Sequence, residues 1–117
     1  MQREVIVETL QAAITQAAGA TSTTTLKINA ARFLEIWLNV TAVSGTNGPS
    51  LTLNIETSID GTNFVTIGSI TAITAESTNN LTLPRQDFPL GTQVRVSWTI
   101  SGTTPSFTFD VKAGQME

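Results

Sequence analysis

Val43-Ser44-Gly45-Thr46-Asn47-Gly48-Pro49-Ser50-Leu51-Thr52-Leu53-Asn54-Ile55 decides the fold, because the chain writes this phrase twice. It returns as Ile100-Ser101-Gly102-Thr103-Thr104-Pro105-Ser106-Phe107-Thr108-Phe109-Asp110-Val111, one glycine shorter and about half the chain further on. Each copy reads as a strand, a Ser-Gly-Thr turn with a proline, and a second strand of alternating character. The expectation is a β-hairpin made twice, in an all-β domain with a two-fold-like internal plan. Neither copy contains a reactive group, so the repeat speaks for architecture and not for catalysis.

The same alternation extends outward from both copies. Upstream of the first, Leu34, Ile36, Leu38 and Val40 point one way, and Phe33, Glu35, Trp37 and Asn39 the other. Downstream, Leu51, Leu53, Ile55 and Thr57 oppose Thr52, Asn54, Glu56 and Ser58. Asp60-Gly61 then signals a hairpin, because both positions tolerate positive φ. Phe64 to Ile67 is the expected return strand, followed by short strands at Ile70 to Thr74 and Leu81 to Leu83. Before the second copy, Val94, Val96, Trp98 and Ile100 alternate with Gln93, Arg95, Ser97 and Thr99. After it, Phe107, Phe109 and Val111 alternate with Thr108, Asp110 and Lys112. Seven or eight short strands at this spacing predict a single-domain antiparallel β-sandwich of Greek-key or jelly-roll type, with a closed barrel as the alternative.

Composition agrees and narrows the function. Serine and threonine account for 30 of the 117 residues and charged residues for only 13%, and β-branched threonine suits a pleated surface. A net charge of −3 offers no basic footprint for a nucleic-acid backbone. Without cysteine there is neither a disulfide framework nor a thiolate metal site. Without histidine the commonest general base, zinc ligand and pH switch are all missing. No apolar run approaches the roughly 20 residues that span a bilayer. Met1-Gln2-Arg3-Glu4 lacks the start of a secretory signal, so synthesis in a cytoplasm without processing is expected.

The N-terminal segment is ambiguous. Val5-Ile6-Val7 favours a strand, whereas Leu10, Ile14 and Ala17 or Ala18 would also line one face of a short helix. Residues 1–22 are therefore assigned as an N-terminal arm or edge segment, and 23–117 as the sandwich domain. The arm is either a linker or edge strand, or a segment that pairs with a neighbouring subunit.

Candidate chemistry is sparse. Glu35 and Glu56 lie on outward faces of strands that could be adjacent, but nothing marks them as a perturbed pair of the glycosidase kind. No histidine exists to activate a serine, no Gly-x-Ser-x-Gly elbow appears, and no phosphate-cradling glycine loop appears. Asp60-Gly61-Thr62-Asn63 lacks the later ligands of a calcium loop and reads as a turn. An enzyme, a resident metal and a cofactor are accordingly not expected. Phe33 and Trp37 share a face with Glu35 and Asn39, opposite a face that is already aliphatic. Only one face of each sheet in a sandwich is core, so these aromatics belong under the arm or a loop, in a subunit interface, or on a sugar-stacking platform. Trp98, in line with Val94 and Val96, is expected in the core.

The stretch from Phe33 to Val111 resembles small all-β virion proteins of tailed bacteriophages. The resemblance is carried by Leu38-Asn39-Val40-Thr41-Ala42-Val43-Ser44-Gly45-Thr46, by Ile55-Glu56-Thr57-Ser58-Ile59-Asp60-Gly61-Thr62, and by the run from Val94 to Phe109. Such proteins are head-decoration (cement), neck or tail components with no catalytic residues to carry over. The resemblance implies a non-enzymatic virion structural protein, above all a capsid decoration protein. It would be made in the host cytoplasm and found in the virion. Its partners would be the major capsid protein or other virion proteins, in a homo-oligomer for which a trimer is the working expectation. It would contact neither nucleic acid nor membrane directly. Val5, Ile6, Val7, Phe33, Glu35 and Trp37 are the candidate interface residues. The alternative is a carbohydrate- or receptor-binding β-sandwich module of a tail or baseplate, with Phe33 and Trp37 stacking on sugar rings.

Overall fold

Leu34, Ile36, Leu38 and Val40 are buried, whereas Glu35, Trp37 and Asn39 between them are not. This is the two-residue period of a strand with one face in the core. A computed structural model of the chain describes residues 5–18, 20–21, 26–27, 33–84 and 93–116. Among the described residues there are seven strands: β1 (Val5–Gln16), β2 (Ala20–Thr21), β3 (Leu26–Lys27), β4 (Phe33–Ser58), β5 (Val65–Ile73), β6 (Ser77–Pro84) and β7 (Gln93–Met116). The protein is all-β and antiparallel, as the sequence predicts.

Two of these strands are far longer than expected. β4 has 26 residues and β7 has 24, and they pair with each other from Phe33↔Met116 to Ser58↔Gln93. A straight strand of that length would reach about 85 Å at roughly 3.3 Å per residue. The longest dimension of the molecule is 49 Å, so the ribbon must fold over. Its first half is flanked by β6, on β4, and by β1, on β7. Its second half is flanked by β5, on β4, and by β2 and β3, on β7. One hydrogen-bonded sheet thus makes both layers of a sandwich.

The repeated phrase marks the fold line, which corrects the reading of two hairpin turns. Both Ser-Gly-Thr segments lie in the middle of long strands and face each other across the ladder, Thr46 opposite Thr103 and Ser50 opposite Ser101. The register shifts between Ser44 and Thr46 and again between Thr46 and Ser50, as irregular ladders do where strands bend. Gly45 has φ +124° and a Cβ there would lie 2.9 Å from the Pro105 Cα. Gly102 has φ +119° and its Cβ would lie 2.9 Å from the Pro49 Cα. Each glycine therefore makes room for the proline of the other copy. The two-fold-like plan is real, but it relates the two ribs of a bent ribbon.

The core lies between the layers. Leu34, Ile36 and Leu38 of the first β4 half join Leu51, Leu53 and Ile55 of the second, with Val94, Val96, Phe107, Phe109 and Val111 from β7. Trp98 is buried as expected and meets Phe109 edge-to-face, ring centroids 5.0 Å apart, which ties the second β7 half to the first. β5 runs unbroken where two short strands were expected. Gly68 at its centre is no break: a Cβ there would sit 2.8 Å from Leu81 Cδ2 of β6, so the glycine permits close approach of the layers. The Asp60-Gly61 hairpin joins β4 to β5 as predicted, with Thr57 opposite Val65.

Candidate functional site

The outward face of the first layer carries the most distinctive chemistry. Its rows follow from register. Glu35 lies between Thr82 on β6 and Gly114 on β7, and Val7 of β1 completes that row. Trp37 lies between Asn80 and Lys112, with Thr9 beyond, and Asn39 lies between Thr78 and Asp110. Because β4 is central in this layer, its side chains reach partners on both sides.

Glu35 acts as an anchor. Trp37 donates its indole N–H to Glu35 Oε1 at 3.0 Å, Asn80 donates to the same oxygen at 2.9 Å, and the Thr82 hydroxyl donates to Oε2. Partial burial works to raise the Glu35 pKa, but the donors Thr82, Asn80 and Trp37 together hold the carboxyl below the ordinary glutamate value. The carboxylate is thereby committed to orienting the indole. Trp37 nevertheless remains 53% exposed.

Beside the indole lies a cleft of about 220 Å³ lined by Trp37, Asn39, Thr78, Asp110 and Lys112. Asn39 donates its amide to Asp110 Oδ1 at 3.2 Å and accepts from the Thr78 hydroxyl at 3.0 Å. The cleft thus has one aromatic wall and a floor of linked polar groups.

The predicted interface residues divide. Val7, Glu35 and Trp37 come together on this outward face, with Val7 64% exposed. Val5 and Phe33 are both in register with Met116, and Ile6 is in register with Gln115. The side chains of Val5, Ile6 and Phe33 lie outside the described residues. β1 forms one edge of the sheet, and from Val5 to Thr9 its ladder with β7 is regular, while shifts follow at Gln11 and Ile14.

Two apolar side chains escaped the sequence reading. Ile59 is 80% exposed and Val65 is 63% exposed, flanking the Asp60 turn. Alternation alone would place Ile59 inward with Ile55 and Thr57, but β4 ends at Ser58 and the turn carries Ile59 out. Within that turn Asp60 Oδ1 accepts from the backbone of Thr62 and Asn63, each at 2.8 Å, and Oδ2 accepts from the Asn63 amide. The carboxylate is saturated by its own loop. Glu35 and Glu56 do not form a pair, since they occupy the outer faces of different layers. Glu56 instead binds Arg95 at 2.8 Å, and Arg95 lies over the Phe64 ring. Among the described residues no group of three or more acidic or other metal-ligating side chains is assembled.

No family model and no curated protein matches the sequence. Solved structures do match in fold. The infectious bursal disease virus VP2 subviral particle aligns with 98% of this chain at a TM-score of 0.61 and 18% identity. The infectious bursal disease virus Gx strain aligns with 99% at 0.57 and 16% identity. In both cases the chain spans only 32% of the viral protein. A third match is TmCBM61 in complex with β-1,4-galactotriose, with a TM-score of 0.50 and 9% identity over 97% of this chain and 88% of that one. The chain therefore has a β-sandwich fold found in viral capsid proteins and in a carbohydrate-binding module.

Proposed function

We propose that this chain is a non-enzymatic structural protein of a virion, a decoration protein that binds the head lattice of a tailed bacteriophage as a small homo-oligomer. The carrying observation is the regular outer edge of β1 from Val5 to Thr9, with exposed Val7 beside it. Among the described residues no strand pairs with that edge. An open antiparallel edge is where another β protein can add a strand, its main-chain bonds giving affinity and flanking side chains giving specificity. Ile59 and Val65 supply a second exposed apolar point for a neighbour. The likeness to capsid proteins over nearly the whole chain supports this reading at the level of fold. Repetition on a symmetric lattice turns modest single contacts into strong collective binding.

The test is co-sedimentation with empty capsid shells, alongside the mass of the free protein. Binding and self-association are expected, and Val7→Asp should weaken both by burying a charge in the contact. A monomer that stays in the supernatant would sink the proposal.

A second reading, a carbohydrate- or receptor-binding module of a tail or baseplate, is favoured by one observation. Trp37 stands exposed in a polar field, where an oligomer interface would place apolar neighbours and few charges.

A further inference from the structure

The geometry points to a saccharide subsite in the cleft beside Trp37, built for one ring of a neutral hexose chain. The inference rests on the carbohydrate-binding reading of this face, and not on where in a particle the protein sits.

Three features carry it. First, the indole is fixed before any ligand arrives. Its N–H is held by Glu35, which Asn80 and Thr82 hold in turn. A preorganised aromatic plane loses little entropy when an apolar ring face stacks on it. The C–H face of a pyranose is such a surface, and an aromatic ring with a polar surround is the combination that accepts it.

Second, the cleft offers both hydrogen-bond senses at its floor. Asp110 Oδ1 accepts from Asn39, and the second carboxylate oxygen has no partner among the described residues. Asn39 uses one amide hydrogen on Asp110 and its oxygen on Thr78, which leaves one hydrogen to donate. Lys112 forms no ion pair among the described residues and lines the same cleft. Adjacent sugar hydroxyls both donate and accept, so a carboxylate beside an amide and an ammonium matches a vicinal diol.

Third, the charges of the cleft cancel. Asp110 and Lys112 contribute one of each sign, and Glu35 nearby is negative and saturated by its donors. A uronic or sialic acid would bring its carboxylate close to two others, whereas a neutral hexose has no such penalty.

The experiment is a glycan array of neutral hexose oligosaccharides and their uronic- or sialic-acid-bearing counterparts, followed by titration of any that bind. It is run with the full chain and with Trp37→Ala, Trp37→Phe, Asp110→Asn and Thr99→Ala. Binding should be confined to neutral glycans. Trp37→Ala should weaken it about tenfold or more, and Trp37→Phe should restore part of the loss. Asp110→Asn should weaken it, and Thr99→Ala, exposed on β7 opposite Thr52 in the other layer, should leave it unchanged. Near-ultraviolet circular dichroism from buried Trp98 verifies that each variant is folded. Binding that survives Trp37→Ala places the sugar elsewhere, which overturns the subsite and leaves the carbohydrate reading standing. Preference for acidic glycans overturns the subsite. No binding by any glycan removes the subsite and that reading together. Capsid co-sedimentation of Trp37→Ala is expected to match the native chain. If that variant loses the shells and no glycan binds, Trp37 is a lattice contact and the inference fails.

Discussion

Gly45 and Gly102 illustrate how a residue with no side chain can determine a fold. Both sit at φ values that L side chains rarely adopt, and a Cβ added at either would lie 2.9 Å from the Cα of the other copy's proline. Replacing either by alanine should cost about 2–3 kcal/mol from backbone strain alone, with the clash in addition. Gly48 provides the control, since it has φ +64° and open space where its Cβ would be. Gly48→Ala should cost only about 1 kcal/mol. Urea unfolding of the three variants tests the contrast, and equal losses would rule out a steric role at the bend. The Gly45→Ala, Gly102→Ala double variant should lose less than the sum, because one broken clasp relieves the other. Asp60 makes a different residue-scale prediction. Backbone N–H groups of Asn63 and Thr62, then the Asn63 amide and Ser58 hydroxyl, hold its carboxyl well below the usual range. Its folded pKa is thus lower than its unfolded one. The turn's contribution is complete above the ordinary aspartate value and fades as pH falls below about 4. Melting temperatures of the native chain and Asp60→Ala should therefore differ at pH 7 and converge in acid. Curves that remain parallel would mean that ionisation of Asp60 does not support the turn.

At the scale of elements, strands were legible in the sequence and their continuity was not. The even-numbered apolar residues Leu34 to Val40 and the odd-numbered Leu51 to Ile55 were assigned to the core and are there. What alternation cannot report is whether two runs separated by glycine and proline belong to one bent strand or to two strands of a hairpin. Local conformation is the same in both cases, with positive φ at the glycines. The difference lies in which strand each run pairs with. β4 pairs with β7 on both sides of the bend, a choice made by contacts between residues as far apart in sequence as Ser58 and Gln93 or Phe33 and Met116. The Trp37 cleft was partly legible for the same reason. Its β4 members, Trp37 and Asn39, follow from alternation, and Asp110 and Lys112 are readable as outward. Their meeting with Thr78 and Asn80 of β6 depends on register, which no local pattern in that threonine- and asparagine-rich strand encodes. Glu35 likewise reads from the sequence only as an outward-facing acid, since its three donors come from two strands.

At the scale of the molecule, most of the pairing joins distant parts of the chain. β4 must wait for β7 to be available before either long strand is satisfied, and β1 then closes on β7. Domains dominated by such non-local pairing fold in milliseconds to seconds. Refolding measured by stopped-flow tryptophan fluorescence should fall in that range, and a microsecond phase carrying the full amplitude would contradict the topology. Variants at Gly45 or Gly102 should slow the step in which Trp98 becomes buried if the bend forms early.

The register that places Val5 opposite Met116 has a further consequence. Directly opposed residues of an antiparallel pair have Cα atoms about 5 Å apart, so the described chain leaves the sandwich where it enters. A body whose entrance and exit coincide can be grafted into a loop of a host protein without prying that loop open. Equally, a short linker from Met116 to Val5, with new ends cut in the exposed turn at Asp60 and Gly61, should give a permuted chain with the same β-sheet signal in circular dichroism. Val5 and Met116 thus lie at one place on the sandwich, and a graft made there would carry the Trp37 face and the Ile59 turn together.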